Sequence, residues 1–210
     1  MKEKMYGLCS IIRLSMKNLK NKTDAELVVL TLENEDNFLY LIDRYEKKLL
    51  RYIIRMTALP YEDAEDILQE VFLKIYKNLN DFDLGLSFSS WAYRITHNEA
   101  INHAKKIRRH QTVALETDDD DAVSLINILR SDEDVHNDFV VKELGKNVRT
   151  ILFALPEKYR EVLVLRYLED KDYNEISDIL KKPMGTVATL INRAKAQFEM
   201  MAKRTNINPF

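Results

Sequence analysis

Glycine and proline are scarce along this chain, and their scarcity constrains the fold more than any other feature. The 210 residues include four glycines and four prolines, where average usage would give about 25 of the two together. A β-sandwich or β-barrel needs many tight turns, which these residues form best. The apolar residues instead recur at steps of three and four, as on one face of an α-helix. The sequence therefore predicts an all-α protein.

Bulk composition narrows the class of protein further. A chain of 210 residues with 46% hydrophobic residues can bury the cores of one or two small domains. Its formal net charge of −2 does not suit a protein that coats DNA indiscriminately. Cys9 is the single cysteine, which excludes an internal disulfide and a cysteine-based metal site.

The apolar segments also bear on membrane association and targeting. No apolar run in the sequence has the length that spans a bilayer. The apolar part of the first 15 residues is short and is interrupted by Arg13, so we do not interpret it as a signal peptide. We therefore expect a cytoplasmic protein without membrane insertion, with residues 1–22 as a basic N-terminal extension of unknown role.

The stretch from residue 62 to residue 79 predicts a helix with one apolar and one acidic face. The apolar face consists of Ile67, Leu68, Val71, Phe72, Ile75, Tyr76 and Leu79. The opposite face consists of Glu62, Asp63, Glu65, Asp66, Gln69 and Glu70. From the pattern alone, the acidic face is either an ordinary solvated surface or a docking surface for a basic protein.

A second predicted helix follows a polar loop at residues 81–90 and changes character along its length. Aromatic residues surround its start: Phe82, Phe88, Trp91 and Tyr93. Polar and basic residues follow: Arg94, His97, Asn98, Asn102, Lys105, Lys106, Arg108 and Arg109. Aromatic rings beside Asn and Arg suit stacking on, and hydrogen bonding to, unpaired bases, and the basic end suits phosphates. The alternative is a core-anchoring tryptophan on a helix with an ordinary basic C-terminus. Either Ser87 or Ser89 is suited to cap this helix.

Residues 111–138 differ sharply in composition from their surroundings. They are strongly acidic, including four consecutive aspartates at 118–121, and runs of like charge disfavour compaction. We interpret them as a linker between two helical domains.

The C-terminal part of the chain predicts a helix-turn-helix. Asp172 and Glu175 have the spacing of a capping box, which opens a short helix. A turn at 181–185 leads to a last helix predicted over residues 186–201. Its apolar stripe is Val187, Ile191, Ala194 and Phe198, and its polar face includes Thr189, Asn192, Arg193 and Lys195. A helical hairpin with an ordinary polar face remains an alternative.

Two stretches of this sequence together resemble a known family. DAEDILQEVFLKIYKNLNDFD and SFSSWAYRITHNEAINHAKK resemble region 2 of bacterial RNA polymerase sigma factors, and LPEKYREVLVLRYLEDKDYNEISDILKKPMGTVATLINRAKAQF resembles their region 4. The order matches the two-domain, extracytoplasmic-function type. The resemblance implies a region 2-like domain at 23–110, the acidic linker at 111–138 and a region 4-like domain at 139–210. It also offers a role for the linker, which in such proteins runs through the basic nucleic-acid channel of the polymerase.

The resemblance implies partners and residue roles. The partners are promoter DNA, core RNA polymerase through its β′ coiled coil and β flap, and an anti-sigma factor of the kind that holds many such proteins inactive. Core docking would use Asp66, Gln69 and Glu70. The promoter −10 element would be opened and read by Phe88, Trp91, Arg94, Asn98, Asn102, Lys105 and Lys106. The −35 element would be read by Thr186, Ala188, Thr189, Asn192, Arg193 and Lys195.

One position departs from the family pattern. Basic residues often follow the Gly-Thr-Val sequence that opens the last helix, but this chain has Ala188 there and Leu190 two residues later. Each lost phosphate contact weakens DNA binding and its salt dependence. We expect isolated region 4 to bind DNA weakly and Leu190 to join the apolar stripe.

The sequence predicts neither an enzyme nor a cofactor site. The four histidines lack the spacing of a zinc-binding helix, and no glycine-rich phosphate loop occurs. The resemblance to sigma factors makes a promoter-specificity factor the main hypothesis. The alternatives are a stand-alone helix-turn-helix regulator and an all-helical adaptor without a DNA role.

Overall fold

The computed structural model describes residues 21–114 and 139–204, with the side chains of 108–114 and 139–146 left out. The described residues form eight α-helices, two short 3₁₀ turns and one π-helical turn, and they contain no strand. The predicted all-α fold is confirmed. The N-terminal extension up to residue 20 and most of the acidic linker lie outside the described residues.

The first domain contains four helices. These are α1 (Asp24–Glu33), α2 (Phe38–Thr57), α3 (Tyr61–Lys77) and α4 (Phe88–Ala114). Helices α2, α3 and α4 pack on one another pairwise, and α1 packs on α2. Their shared core includes Leu27, Leu49, Ile53, Ile67, Val71 and Ile75, all almost fully buried.

Local sequence signals define where these helices begin and end. Thr23 caps α1 through a capping box with Glu26. Helix α2 ends at Ala58, which has a left-handed backbone (φ 58°), and α3 follows directly after Pro60. Ser87 rather than Ser89 supports the start of α4, because its Oγ accepts a hydrogen bond from the Ser90 amide at 3.2 Å. Helix α4 continues to Ala114, four residues beyond the end that we predicted for the domain.

The second domain also contains four helices. These are α5 (Phe139–Ala154), α6 (Glu157–Leu163), α7 (Tyr173–Leu180) and α8 (Met184–Arg204). The apolar residues of 157–168 recur at helical spacing, but the helix changes at Val164 into a π-helical turn, Val164–Leu168. Helices α7 and α8 form the predicted helix-turn-helix. The capping box of Asp172 and Glu175 is present, with both reciprocal hydrogen bonds.

The last helix begins two residues earlier than we predicted. The carbonyl of Pro183 accepts hydrogen bonds from the amides of Thr186 at 2.8 Å and Val187 at 3.0 Å, so the first helical turn starts at Met184. The predicted inner stripe is confirmed, since Val187, Ile191 and Ala194 are buried. Leu190 and Phe198 are partly buried against the same core.

The two domains pack against each other. Helix α4 of the first domain lies along α7 of the second. The loop at residues 169–171, just before α7, contacts α2 and α4 through buried polar side chains.

Candidate docking and nucleic-acid interfaces

The acidic face predicted on α3 is present at the surface. Asp66, Gln69 and Glu70 are exposed, while Ile67 and Leu68 on the other side of the helix are buried. The carboxylate of Glu70 lies 2.9 Å from Nε2 of His103 on α4. Glu70 therefore also holds α3 to α4, whereas the helix orients Asp66 and Gln69 toward solvent.

An apolar groove that we did not predict adjoins this face. It lies between α2 and α3, and Leu39 (65% exposed) and Leu73 (57% exposed) project from its walls. Its remaining lining includes Phe38, Ile42, Phe72 and Tyr76, with Glu35, Asp36, Glu46 and Gln69 around it. Leu39 and Leu73 lie outside the buried apolar stripes of their helices. Their position outside these stripes was the sequence signal that could have predicted the groove. The groove and the acidic face together make one surface that is both apolar and acidic.

Aromatic residues form a cluster where the loop 81–90 meets α4. The Phe88 ring lies 5.3 Å from Tyr45, 5.5 Å from Phe82 and 5.6 Å from Trp91, measured between ring centroids. Phe88 is only 4% exposed, and this burial argues against a direct contact between Phe88 and a base. Trp91 is partly exposed at the edge of the cluster. Phe88 therefore holds the Trp91 ring in position by packing against it.

The remaining predicted −10 residues form one stripe on the outside of α4. Trp91, Arg94, Asn98, Asn102 and Lys105 follow one another at helical steps of three and four. Arg94 is half-buried, and Asn98, Asn102, Lys105 and Lys106 are exposed. The stripe changes from an aromatic ring through amides to ammonium groups, which is a suitable order for holding unpaired bases beside a phosphate chain.

His97 does not belong to this stripe, although the sequence groups it with the same polar residues. It is buried, and its Nδ1 lies 2.9 Å from the hydroxyl of Tyr52. Desolvation, followed by the charges of Lys182 and Lys105, lowers the pKa of His97 to about 4. The imidazole is therefore neutral at pH 7 and belongs to the interior.

Glu70, Glu99 and His103 lie close enough to be considered as metal ligands. One ligand atom from each falls within 4.8 Å of the others. However, Lys74 Nζ lies 2.6 Å from Glu99 Oε1 and already supplies positive charge there. The arrangement is a salt-bridged connection between α3 and α4, and a divalent ion would have to displace Lys74.

The predicted −35 residues lie on the outer face of α8. Thr186, Thr189, Asn192, Arg193 and Lys195 are exposed, and Ala188 is half-buried. The hydroxyl of Thr189 donates to the carbonyl of Gly185 at 2.8 Å. The Thr186 amide is not available to a phosphate, because it donates to the carbonyl of Pro183. Because the helix starts earlier, its first amides belong to Met184 and Gly185.

Comparison with known proteins places both domains in one family. Sigma-70 region 2 matches residues 41–110, and Sigma-70, region 4 matches residues 145–198. The ECF RNA polymerase sigma factor SigW of Bacillus subtilis is 34% identical over 163 residues, covering 77% of this chain and 87% of SigW. The chain belongs to the ECF sigma factors.

Other sigma-factor relatives agree over similar lengths. The ECF RNA polymerase sigma-E factor of Escherichia coli K12 is 32% identical over 179 residues, covering 82% of this chain and 91% of the relative. The RNA polymerase sigma-H factor of Pseudomonas aeruginosa is 30% identical over 179 residues, covering 84% and 92%. As an ECF sigma factor, the chain directs promoter-specific initiation of transcription. The stand-alone regulator is not favoured, because both sigma regions are present in order.

Solved structures share the fold at lower sequence identity. CnrH, solved in complex with the cytosolic domain of CnrY, has a TM-score of 0.62 at 20% identity, covering 86% of this chain and 97% of that one. The sigma factor RpoE of Bartonella quintana, solved with the anti-sigma factor NepR, has a TM-score of 0.64 at 17% identity, covering 80% and 97%. Within residues 21–114 and 139–204, no helix combines the length and the apolar character needed to cross a membrane.

Proposed function

We propose that this ECF sigma factor docks on core RNA polymerase through the acidic face of α3 and the adjoining groove. The observation that carries this proposal is the continuity of the two surfaces: exposed Asp66 and Gln69 lie beside exposed Leu73. Acidic groups steer a basic partner and fix its register, while apolar side chains at the centre supply most of the binding free energy. A regulator that worked without core polymerase would have no need of this surface.

We propose that α4 opens and reads the −10 element. Trp91 stacks on a base released from the duplex, and Asn98 and Asn102 hydrogen bond to base edges. Lys105 and Lys106 hold the phosphates. Stacking of one base on an aromatic side chain contributes about 1–3 kcal/mol, which offsets part of the cost of unstacking a base pair. Phe88 contributes through the position of Trp91.

We propose that α8 reads the −35 element in the major groove. Arg193 and Asn192 carry the donors and acceptors that distinguish base pairs there, and Thr189 and Lys195 lie on the same exposed face. The Ala188 side chain has no polar group to contact a phosphate. The Thr186 amide is already hydrogen bonded to Pro183, so only the Thr186 hydroxyl is available for such a contact. We therefore assign α8 a modest share of the total affinity, so that promoter binding depends on the polymerase complex.

We propose the following organisation around these surfaces. The region 2-like domain spans 23–110, the acidic linker 111–138 and the region 4-like domain 139–210. The protein acts in the cytoplasm, and polymerase supplies all the chemistry, so the sigma factor itself is not an enzyme. Because both structural neighbours were solved with a protein partner, CnrY or NepR, we further propose an anti-sigma factor as a regulator.

A pull-down of core RNA polymerase followed by run-off transcription on a pool of random promoters tests this proposal. The wild-type protein should retain core polymerase and yield transcripts that share a two-part motif. Asp66→Arg should weaken retention about tenfold or more, because it places positive charge where a basic partner docks. Glu199→Arg makes the same charge change on an exposed position of α8 and should retain core polymerase normally.

Two results would contradict the proposal. Equal retention of core polymerase by the Asp66→Arg and Glu199→Arg variants would show that the α3 face is not the docking surface. Specific retardation of duplex DNA by the protein alone, without core retention, would favour the stand-alone regulator.

A further inference from the structure

Carboxylates surround the apolar groove between α2 and α3. Glu35, Asp36 and Glu46 contribute to its lining, and the described residues that line it include no Lys, Arg or His. Leu39 and Leu73 project from its walls with more than half of their surfaces exposed, and a contiguous exposed apolar surface of this kind marks an interaction site. The groove therefore suits an occupant that has one apolar face and basic residues beside that face.

Negative charge is present at both ends of the groove. At one end, the Tyr76 hydroxyl donates to Oε2 of Glu35 at 2.8 Å. At the other end, the hydrogen bond and the charge of Glu65 raise the pKa of Tyr61, with a further contribution from the charge of Glu46. Glu46 on α2 and Glu65 on α3 therefore lie close together. Charge complementarity favours a basic occupant at either end.

Three segments of the chain lie outside the described residues, and they differ in charge. Residues 1–20 contain five basic residues and one acidic residue. Residues 115–138 contain nine acidic residues and one basic residue, and residues 205–210 contain no charged side chain. The carboxylates of the groove repel a segment of their own sign and attract one of opposite sign. Charge therefore selects residues 1–20, the N-terminal segment, as the occupant.

The apolar residues of the N-terminal segment recur at helical spacing. Four of them follow one another at steps of three, four and four: Met5, Leu8, Ile12 and Met16. This spacing predicts one apolar helix face, the N-terminal stripe, and Arg13 adjoins it. At 1.5 Å per residue the stripe is about 16 Å long, and the groove wall from Phe38 to Glu46 is about 12 Å long. The stripe thus has the length needed to cover the groove.

The point where the N-terminal segment joins the first domain lies within reach of the groove. The carbonyl of Lys22 accepts a hydrogen bond from Arg44 Nη2 at 2.7 Å, and Arg44 Nη1 pairs with Asp24 at 2.6 Å. Arg44 precedes Glu46 of the groove by two residues on α2. Half the circumference of a helix about 10–12 Å across is about 15–20 Å, which about six extended residues cover. Residues 1–16, which include the whole stripe, remain for the groove.

We propose that the N-terminal segment binds in the α2–α3 groove of its own chain as a basic amphipathic helix. Its apolar stripe covers Leu39 and Leu73, and its basic residues face the carboxylates around the groove. A short connection within one chain gives an effective concentration on the order of millimolar, so a weak contact is sufficient for docking. Core polymerase uses the same groove and therefore competes with the segment. The competition rests on the proposed function, whereas the docking concerns the free protein alone.

A disulfide equilibrium tests the docking in the free, full-length protein. Cys9 follows Leu8 of the stripe and is the single cysteine of the chain. Leu73→Cys adds a thiol in the groove, and Leu86→Cys adds one at a leucine of the loop 81–90 with matched exposure, 56% against 57%. In a glutathione redox buffer, the fraction of intramolecular disulfide gives the effective concentration of Cys9 at each added thiol. We expect this concentration to be at least tenfold higher for Leu73→Cys than for Leu86→Cys.

The outcomes distinguish the possible occupants of the groove. Equal effective concentrations at the two positions would overturn the proposal, because a tethered but undocked segment reaches both alike. A disulfide that joins two copies of the chain would identify a second copy as the occupant and would also overturn it. Leu39→Cys on the opposite wall should give the same result as Leu73→Cys, so the test does not depend on the folding of one variant.

Two neighbouring isoleucines test the orientation of the segment. Ile12→Asn, combined with Leu73→Cys, places an amide in the stripe and should lower the effective concentration at least tenfold. Ile11→Asn makes the same change one residue earlier, outside the stripe, and should leave the value within about twofold of the parent. Equal effects of the two substitutions would refute docking through this stripe.

The affinity for core polymerase tests the competition. With Leu73 intact, Ile12→Asn should bind core polymerase about tenfold more tightly than the wild type, because the groove is no longer occupied. Ile11→Asn should bind as the wild type does. Equal affinities of the two variants would overturn the competition. If the wild type and both variants failed to bind core polymerase, the proposed function would be wrong, while the disulfide equilibrium would still decide the docking.

Discussion

Replacing Phe88 and Trp91 separately by alanine should distinguish a supporting residue from one that contacts a base. Phe88 is 4% exposed and touches three other rings at centroid distances of 5.3–5.6 Å. Removal of a buried phenylalanine ring leaves a cavity and costs about 3–5 kcal/mol, part of it from ring pairs that contribute about 0.5–1.5 kcal/mol each. We expect Phe88→Ala to lower the free energy of unfolding by this amount.

Trp91 should behave differently because it lies at the edge of the cluster. Trp91→Ala removes a partly exposed ring and should cost less stability than Phe88→Ala. Its main effect should be the loss of about 1–3 kcal/mol of base stacking, seen as about 5- to 150-fold weaker transcription from a duplex promoter. A template already unpaired at the −10 element should recover much of this loss.

The assays are urea unfolding followed by circular dichroism and run-off transcription on duplex and pre-opened templates. Trp91 is the single tryptophan of the chain, so its fluorescence reports on this cluster in the Phe88→Ala variant. Phe88→Leu keeps most of the buried volume and should transcribe nearly normally at a temperature where it is folded. A Phe88→Ala variant that is within about 1 kcal/mol of the wild type in stability and still cannot open the promoter would refute the supporting role of Phe88.

Two further predictions concern charge. The pKa of His97 is lowered to about 4 from its ordinary value of 6.5. As the pH falls, the unfolded chain therefore binds a proton at His97 before the folded protein does. The free energy of unfolding should decrease between pH 6.5 and pH 4, by at most about 3 kcal/mol. His97→Gln should flatten this part of the profile in urea unfolding, and an unchanged slope would refute the assignment. Ala188→Arg should strengthen −35 DNA binding and steepen the dependence of log K on log salt by about one, measured by fluorescence anisotropy, with Glu199→Arg as the control. If the slope of log K against log salt stays at the wild-type value, residue 188 does not lie near the DNA phosphates.

Local sequence patterns determined the secondary structure of this protein well. The steps of three and four in the apolar residues predicted α3 and the inner stripe of α8. The capping box of Asp172 and Glu175 predicted where α7 begins, because both of its hydrogen bonds span only three residues. The family could also be recognised from the sequence, because the motifs of regions 2 and 4 occur along the chain in the family's order. Exposure of Asp66 and Asn98 followed from helical periodicity.

Some failures of sequence reasoning were also local in origin. Pro183 accepts hydrogen bonds at the start of α8 and extends the helix back to Met184. The π-helical turn at Val164–Leu168 interrupts an apolar pattern that looks continuously helical. In both places the residue pattern allows more than one hydrogen-bonding arrangement, and packing of the surrounding domain selects one.

Only the tertiary structure decided which polar and aromatic residues face inward. His97 and Asn98 are neighbours of similar polarity, yet His97 is buried against Tyr52, which lies 45 residues away in sequence. Arg55 and Glu169 are 114 residues apart, and neither carries a local signal that names the other. Periodicity gives each helix an inner and an outer face, whereas the partner of that inner face depends on how distant segments pack. For that reason the sequence by itself determined the helices and the family, and the packing of the two domains decided the interdomain contact.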